Sequence, residues 1–155
     1  LKRYNRSPTK QSLDIAGLQG YDDKSKLLKM FFDAHFLDFM ECEIKRIDVC
    51  IDFVKVPNRV IKKLCEKREP SARWNTTYFK TQSENKTNAV LDMKLYNKQK
   101  EAKLSSPMMR LEFCFKGAYF SKGMKLNNLD AKFLLKMEKS ILGFSGLNVK
   151  IEPLK

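Results

Sequence analysis

The sequence has little histidine and no paired cysteines, and both shortages restrict the chemistry that it could carry. The one histidine is His35, and the four cysteines, Cys42, Cys50, Cys65 and Cys114, contain no C-x-x-C pair. Structural zinc sites draw their ligands from clusters of cysteine and histidine, so a zinc site is poorly supported. Cysteines outside a disulfide framework are typical of a reducing compartment, and we therefore expect a cytoplasmic protein.

The sequence also lacks long apolar runs. No stretch approaches the roughly 20 consecutive apolar residues that a membrane-spanning helix needs. The polar start over residues 1–6 is unlike a signal peptide. We therefore expect no membrane partner. The chain begins with leucine rather than methionine, which leaves open that it is a fragment of a longer protein.

Acidic residues are few compared with basic ones. The chain has 31 Lys and Arg against 18 Asp and Glu, which gives a formal net charge of +13. The excess is spread along the whole chain rather than concentrated in one tail. A field of this sign attracts polyanions, and nucleic acid is the leading candidate partner. A merely soluble basic protein is the plainer alternative.

The length of 155 residues is most simply that of one domain. Residues 1–22 are predicted to form an irregular basic arm, because proline and glycine punctuate them. Two interpretations stay open: an arm that contacts nucleic acid, and a strand and loop at the domain edge. Residues 23–155 would then form the core, which is either catalytic or DNA-binding.

Apolar residues recur at helical spacing in three places. Amphipathic helices are predicted over 23–40 and over 128–142, where Gly143 suits a C-terminal stop. A shorter helix is predicted over 58–67, with its buried side formed by Val60, Ile61, Leu64 and Cys65. His35 falls on or beside the first apolar stripe, where a histidine is more often a core residue than a ligand.

Strands are predicted between these helices. Residues 73–81 are rich in Trp, Thr, Tyr and Phe, which favour strands. A last short strand is predicted over 147–151. The fold class that follows is α+β, an antiparallel β-sheet with helices packed on one face and its charged face open.

Three further strands are predicted over residues 43–54, about 87–97 and 108–116. Within them, residues 46–53, 91–96 and 110–116 alternate strictly between apolar and polar side chains. Alternation puts successive side chains on opposite faces of a strand. If the three strands share a sheet, the polar side chains converge on one face. They include Asp48, Asp52, Glu112, Arg46, Arg110, Lys94, Lys98 and Tyr96. The plainer interpretation is that every solvated antiparallel sheet alternates in this way.

The residue types on this predicted face suit phosphodiester chemistry. Converging carboxylates suit a hard divalent cation such as Mg²⁺ or Mn²⁺. Tyr96 is flanked two residues each way by Lys94 and Lys98. A phenol has an ordinary pKa of about 10, and neighbouring cations would favour the phenolate and hold a phosphate beside it.

The same three segments resemble the motifs of a known family. Residues 95–101, Leu-Tyr-Asn-Lys-Gln-Lys-Glu, resemble the I-Y-N-K-K-Q-E signature of plasmid rolling-circle replication initiators of the Rep_trans (replication initiation factor) type. Residues 46–52 resemble the family's R-x-D-x-x-x-D strand, and residues 110–113 resemble its R-[LIV]-E-[LVF] strand. The motifs match in order and approximate spacing over about residues 43–116.

The family is related to the HUH-type endonucleases and relaxases, so the resemblance implies an HUH-endonuclease- or RRM-like sheet. It also implies that one DNA strand is nicked at an origin through a tyrosine–5′-phosphate link, with a divalent metal, and is later rejoined. Tyr96 would be the nucleophile, and Asp48, Asp52 and Glu112 would be the ligands of Mg²⁺ or Mn²⁺. The residues that would bind the phosphates are Arg46, Lys94, Lys98 and Arg110.

The resemblance also implies partners and a setting. The substrate would be single-stranded DNA or an origin hairpin, carried by a plasmid, a phage or another mobile element. A host helicase or polymerase and a second copy of the chain, in a homodimer, are further candidate partners.

The sequence departs from the family pattern in two respects. It has no H-x-H metal motif, and residues 78–83 lack the glycine of the Tyr-x-Gly-Ser turn. Two alternatives therefore stay open. One is a non-catalytic domain in which Tyr96, Tyr78 and Trp74 stack single-stranded bases. The other is a metal-dependent nuclease that uses water and forms no covalent link.

Overall fold

The computed structural model describes residues 2–7, 10–14, 26, 30, 33–35, 40–80 and 90–151. The chain forms two compact units, Leu1–Cys42 and Glu43–Lys155. The predicted organisation as one domain with an arm over 1–22 stays a prediction.

The first unit contains a two-stranded antiparallel hairpin. Strand β1 covers Lys2–Ser7 and strand β2 covers Lys10–Asp14. Of the two interpretations of residues 1–22, these strands fit a strand and loop rather than an irregular arm. Backbone hydrogen bonds between strands need no apolar side chains, so a basic and polar composition does not exclude a hairpin.

The helix predicted over 23–40 falls mostly outside the described residues, and its apolar stripe lies there entirely. The described positions 26, 30, 33, 34 and 40 are helical. His35 lies in a turn and is exposed, which corrects its assignment to the apolar core.

The second unit is built on a five-stranded antiparallel sheet. Its strands are β3 (Arg46–Phe53), β4 (Glu69–Arg73), β5 (Thr76–Lys80), β6 (Leu91–Asn97) and β7 (Met109–Lys116). The spatial order is β3-β7-β6-β5-β4. The chain therefore starts at one edge, crosses to the opposite edge and returns by adjacent strands until β7 pairs with β3. The α+β class predicted from the sequence is confirmed.

Three helices accompany this sheet: α1 (Asn58–Lys67), α2 (Lys98–Ala102) and α3 (Ala131–Ser145). Pro57 precedes α1 as its N-cap. Helix α3 starts after Asp130, whose side chain accepts a hydrogen bond from the Phe133 backbone N–H at 2.7 Å. Within the described residues, no helix combines the length and the apolar character that crossing a membrane requires.

The end of α3 corrects the sequence prediction. Gly143 lies inside the helix, and the stop is Gly146, with φ of 73° and its N–H bonded to the Leu142 carbonyl. A glycine in mid-helix costs only about 1 kcal/mol relative to alanine. The left-handed conformation at the stop is what favours glycine, so the position of Gly143 alone did not decide the boundary.

Helices α1 and α3 pack on the apolar face of the sheet. Alternate residues of the central strands, such as Met93, Phe113 and Phe115, are buried there together with Leu64 of α1 and Ile141 of α3. The alternation that predicted the strands thus also predicted which side chains enter the core.

The strand predicted over 73–81 is confirmed as β5, but it begins at Thr76, because Trp74 and Asn75 make a two-residue turn that joins it to β4. Two other local predictions were wrong. Residues 147–151 form no strand, and the Ile151 backbone N–H donates instead to the Glu138 carboxylate at 2.7 Å. Cys65 is exposed, since only one stripe of α1 faces the core.

Candidate functional site

The three motif strands are neighbours in the order β3-β7-β6, so the prediction that they share one sheet is confirmed. Directly opposite residues in antiparallel strands point to the same face. Two such rows cross the strands: Cys50, Glu112 and Lys94 in the first, and Asp52, Arg110 and Tyr96 in the second. The polar side chains of the three motifs therefore lie on one face.

Glu112 is the centre of this face. Its side chain lies on β7 and the residue is 5% exposed. The Tyr96 hydroxyl donates a hydrogen bond to Glu112 Oε2 at 3.0 Å. Lys94 Nζ lies 2.7 Å from Glu112 Oε1, and Arg46 Nη2 lies 3.5 Å from the same oxygen. The Glu112 carboxylate thus accepts a hydrogen bond from the Tyr96 hydroxyl and contacts two cations.

This arrangement raises the pKa of Tyr96. Burial is the larger cause, since the residue is 9% exposed, and the negative charge of Glu112 adds to it. Burial alone would lower the pKa of Lys94, but the hydrogen bond and charge of Glu112 raise it. The expectation that Lys94 and Lys98 favour the phenolate was wrong, because burial, followed by the charge of Glu112, favours the protonated phenol.

The remaining predicted phosphate-binding cations are also in ion pairs. Arg110 donates twice to Asp52, at 2.7 Å from each nitrogen. Arg46 donates to Asp48 at 2.8 and 2.7 Å. The ion pair of Lys98 is with Glu101, at 2.5 Å. Charges that the sequence predicted to bind phosphate are thus balanced by carboxylates of the same face or of α2.

The predicted metal ligands are not brought together as a set of three. Asp48 and Asp52 are four residues apart on one strand, which places their Cα atoms about 13 Å apart. Two ligands of one Mg²⁺ each lie at about 2.1 Å from the ion, so these parallel side chains cannot share one. In the part of the chain that the structure describes, no group of three His, Cys, Asp or Glu side chains could hold a metal ion.

The two cysteines of this face are protonated at neutral pH. Burial is the main cause that raises the pKa of Cys50 and of Cys114 to about 12 each, and nearby carboxylates contribute further. A thiol of this kind is a poor nucleophile. The Tyr96 hydroxyl is protonated as well, and its hydrogen bond goes to the Glu112 carboxylate, which could accept the proton if the hydroxyl acts as a nucleophile.

A shallow depression of about 270 Å³ opens beside Tyr96. Its lining residues are Asn75, Thr76, Tyr78, Lys94, Tyr96, Asn97, Lys100 and Glu101. Thr76 lies directly opposite Tyr96, and Tyr78 lies opposite Lys94. The sequence reasoning missed Asn75, Thr76 and Lys100 because their proximity to Tyr96 depends on the pairing of β5 with β6.

The fold and this face together define an α+β protein with a buried tyrosine, hydrogen-bonded to a buried carboxylate, beside an open depression. Comparison with protein-family models, with curated proteins and with solved structures found no match to this chain. The resemblance to rolling-circle replication initiators therefore stays a prediction that depends on the three motifs.

Proposed function

We propose that the protein nicks one DNA strand by attack of the Tyr96 hydroxyl on a phosphodiester and later rejoins it, as a replication initiator of a mobile element does. The observation that carries this proposal is the 3.0 Å hydrogen bond from Tyr96 to Glu112 at the edge of an open depression. It supplies a nucleophile, a proton acceptor and space for a substrate at one place.

The raised pKa of Tyr96 requires that its proton leaves while the new bond forms. Glu112 Oε2 is within hydrogen-bond distance and can accept that proton as a general base. The Tyr96 oxygen then bonds to phosphorus, and the bond between phosphorus and the 3′ oxygen breaks. The leaving oxygen takes up a proton and becomes a 3′-hydroxyl. The covalent link conserves the phosphodiester, so the reverse attack can rejoin the strand.

Cations lie close to the proposed reaction. Lys94 Nζ is 5.1 Å from the centre of the Tyr96 ring, and Lys94 and Arg46 both contact Glu112. Negative charge that builds up on the phosphate during attack would be stabilised by them. Because the three carboxylates do not fit one metal ion as arranged, we assign no step to Mg²⁺ or Mn²⁺. The requirement for either ion is a separate question for experiment.

The test uses labelled single-stranded oligonucleotides of random sequence, so that an unknown origin sequence does not limit it. The protein is incubated with them in Mn²⁺, Mg²⁺ or chelator and analysed by denaturing electrophoresis and mass spectrometry. We expect a protein–DNA adduct on Tyr96 that Tyr96→Phe abolishes and that Glu112→Gln reduces by about 10²- to 10⁴-fold. Tyr78→Phe is the matched control and should keep the adduct.

Other results would contradict the proposal. Cleavage without an adduct, unchanged in Tyr96→Phe, would indicate a nuclease that uses water. An adduct that persists in Tyr96→Phe would place the nucleophile elsewhere.

A second candidate function is DNA binding without cleavage, and the ion pairs favour it. All four predicted phosphate-binding cations already contact carboxylates, and Tyr96 is protonated and buried. Such a face is stable without a substrate. DNA binding that is equal in Mg²⁺, Mn²⁺ and chelator, with no adduct from the random pool, would support this alternative.

A further inference from the structure

The β4–β5 hairpin exposes large aromatic side chains. Trp74 is fully exposed, at 103% relative accessibility, and Tyr78 is 37% exposed. Of the second unit's described residues, these are the exposed aromatic side chains, and both lie in this hairpin. Other aromatic residues of that unit, such as Phe113 and Phe115, pack in the core.

The backbone at Trp74 is unfavourable for this residue type. Its φ of 55° lies in the left-handed region, which costs an L-residue roughly 1–2 kcal/mol. Two-residue hairpin turns usually place glycine, asparagine or aspartate in such positions. A tryptophan that makes little contact with the fold does not repay this cost through packing, which points to a role outside folding.

The turn lies at the rim of the depression beside the proposed nucleophile. Asn75, the second turn residue, and Thr76, the first residue of β5, both line the depression with Tyr96. Thr76 is directly opposite Tyr96 in the sheet. A strand of DNA whose phosphate reaches Tyr96 would therefore pass close to the Trp74 turn.

The surroundings of the turn favour a nucleic acid as the occupant. Arg73, which precedes Trp74, is exposed, and Lys100 is exposed and lines the depression. Exposed aromatic rings beside basic side chains are the common means of binding single strands, because every unpaired base offers a flat face for stacking. The bases of a duplex are already stacked on one another and offer no such face.

We propose that Trp74 stacks on an unpaired base of single-stranded DNA and so holds the strand across the depression that contains Tyr96. This inference rests on the proposed function, since it names the form of the DNA and the surface that binds it. The stacking itself requires no cleavage, so it can be measured separately.

The experiment uses the Tyr96→Phe protein, so that no nicking occurs, and a labelled 15-nucleotide oligothymidylate. Trp74 is the one tryptophan of the chain, so intrinsic fluorescence reports on this position alone, while anisotropy of the label reports binding. We expect the oligonucleotide to quench Trp74 fluorescence. In the same background, Trp74→Ala should weaken binding by about 5- to 150-fold, the range that loss of one stacked base implies.

Two control variants distinguish stacking from a general effect. Trp74→Phe keeps an aromatic ring and should retain most of the affinity. Leu135→Ala removes an exposed apolar side chain on α3 and should bind like the parent protein. Lys100→Ala should instead reduce the dependence of affinity on salt, by about one unit of slope in a double-logarithmic plot.

The outcomes separate this inference from the proposed function. Binding with unchanged fluorescence and equal affinity in Trp74→Ala would overturn the stacking role and leave nicking by Tyr96 untouched. A third outcome combines quenching of Trp74 in the Tyr96→Phe protein, weakened binding when Trp74→Ala is added, and no adduct from the unmutated protein. It would support stacking and contradict nicking. Failure to bind single-stranded DNA at all would overturn the inference.

Discussion

Two regions of one sheet face differ in how they use their polar and aromatic side chains. The paired region, formed by β3, β7 and β6, holds its charges in close ion pairs, and Arg110 and Glu112 are buried within it. The aromatic hairpin, formed by β4 and β5, exposes Trp74 and Tyr78. The first region fixes the geometry of reactive groups, and the second offers a surface that a flexible ligand can contact.

The position of the strands in the sheet explains the difference. Strand β7 has a neighbour on each side, so Glu112 is flanked by side chains of β3 and β6 that can neutralise it. Strand β4 is at the edge and has one neighbour. Pro70 within β4 suits an edge strand, since proline cannot donate a backbone hydrogen bond. The side chains of β4 therefore have partners from one neighbouring strand only.

The largest expected effect on stability is in the paired region. Glu112→Ala should lower the free energy of unfolding by about 3 kcal/mol, because Lys94 and Tyr96 lose a buried acceptor. The measurement is urea denaturation at neutral pH. Glu101→Ala, which removes the exposed partner of Lys98, is the control and should cost at most about 1 kcal/mol. Equal losses in the two variants would show that the paired region contributes no more than a surface ion pair.

Alkaline pH should also destabilise the paired region. Burial raises the pKa of Cys114 from 9.0 to about 12, so the folded state keeps a proton that the unfolded state loses. The resulting stability is present below pH 9 and is lost as the pH rises toward 12.

The matched variants that test this dependence are Cys114→Ser and Cys65→Ser, because serine does not ionise in this range. In urea titrations between pH 9 and 11.5, Cys114→Ser should reduce the alkaline loss of stability by about 2 kcal/mol. Cys65 is exposed, so Cys65→Ser should keep the parent slope. Identical slopes in all three proteins would contradict the assigned pKa shift.

A smaller effect is expected from Tyr96→Phe. The substitution keeps the ring and removes the hydroxyl that donates to Glu112, which retains Lys94 as a partner. We expect a loss of about 1 kcal/mol in the free energy of unfolding, measured by thermal denaturation. The control is Tyr119→Phe, whose hydroxyl bonds to Ser140 at 2.9 Å. A loss above about 3 kcal/mol would mean that a missing adduct in Tyr96→Phe reflects unfolding.

The smallest effect on stability is expected in the aromatic hairpin. Trp74→Gly removes a side chain that is fully exposed and relieves the left-handed backbone, while glycine adds entropy to the unfolded chain. The free energy of unfolding should change by less than about 0.5 kcal/mol, although binding of single-stranded DNA weakens. Gly146→Ala is the converse control, because it puts a side chain on a backbone position with φ of 73°. It should lower the free energy of unfolding by about 1 kcal/mol. A large loss of unfolding free energy in Trp74→Gly would show that the Trp74 side chain stabilises the fold.

The three motif strands were the most predictable part of the molecule. Strict alternation identified β3, β6 and β7 and assigned their apolar residues to the core, because side chains of a strand alternate with period two. The same rule could not reveal the β4–β5 hairpin. Trp74, Thr76 and Tyr78 all favour strands, and the two-residue turn at Trp74 and Asn75 interrupts them without a glycine or proline signal.

The sequence by itself determined the kinds of group that the motif strands place on the polar face: a tyrosine, carboxylates and cations on alternating positions. Tertiary structure alone decided which groups meet, because pairing of strands that are distant in the chain sets each residue's opposite neighbour. It placed Glu112 against Tyr96 and Lys94, and it brought the Trp74 turn to the rim of the depression. The protonation state of Tyr96 followed from that placement, since burial and the nearest charge set a pKa more strongly than the spacing of lysines along the chain.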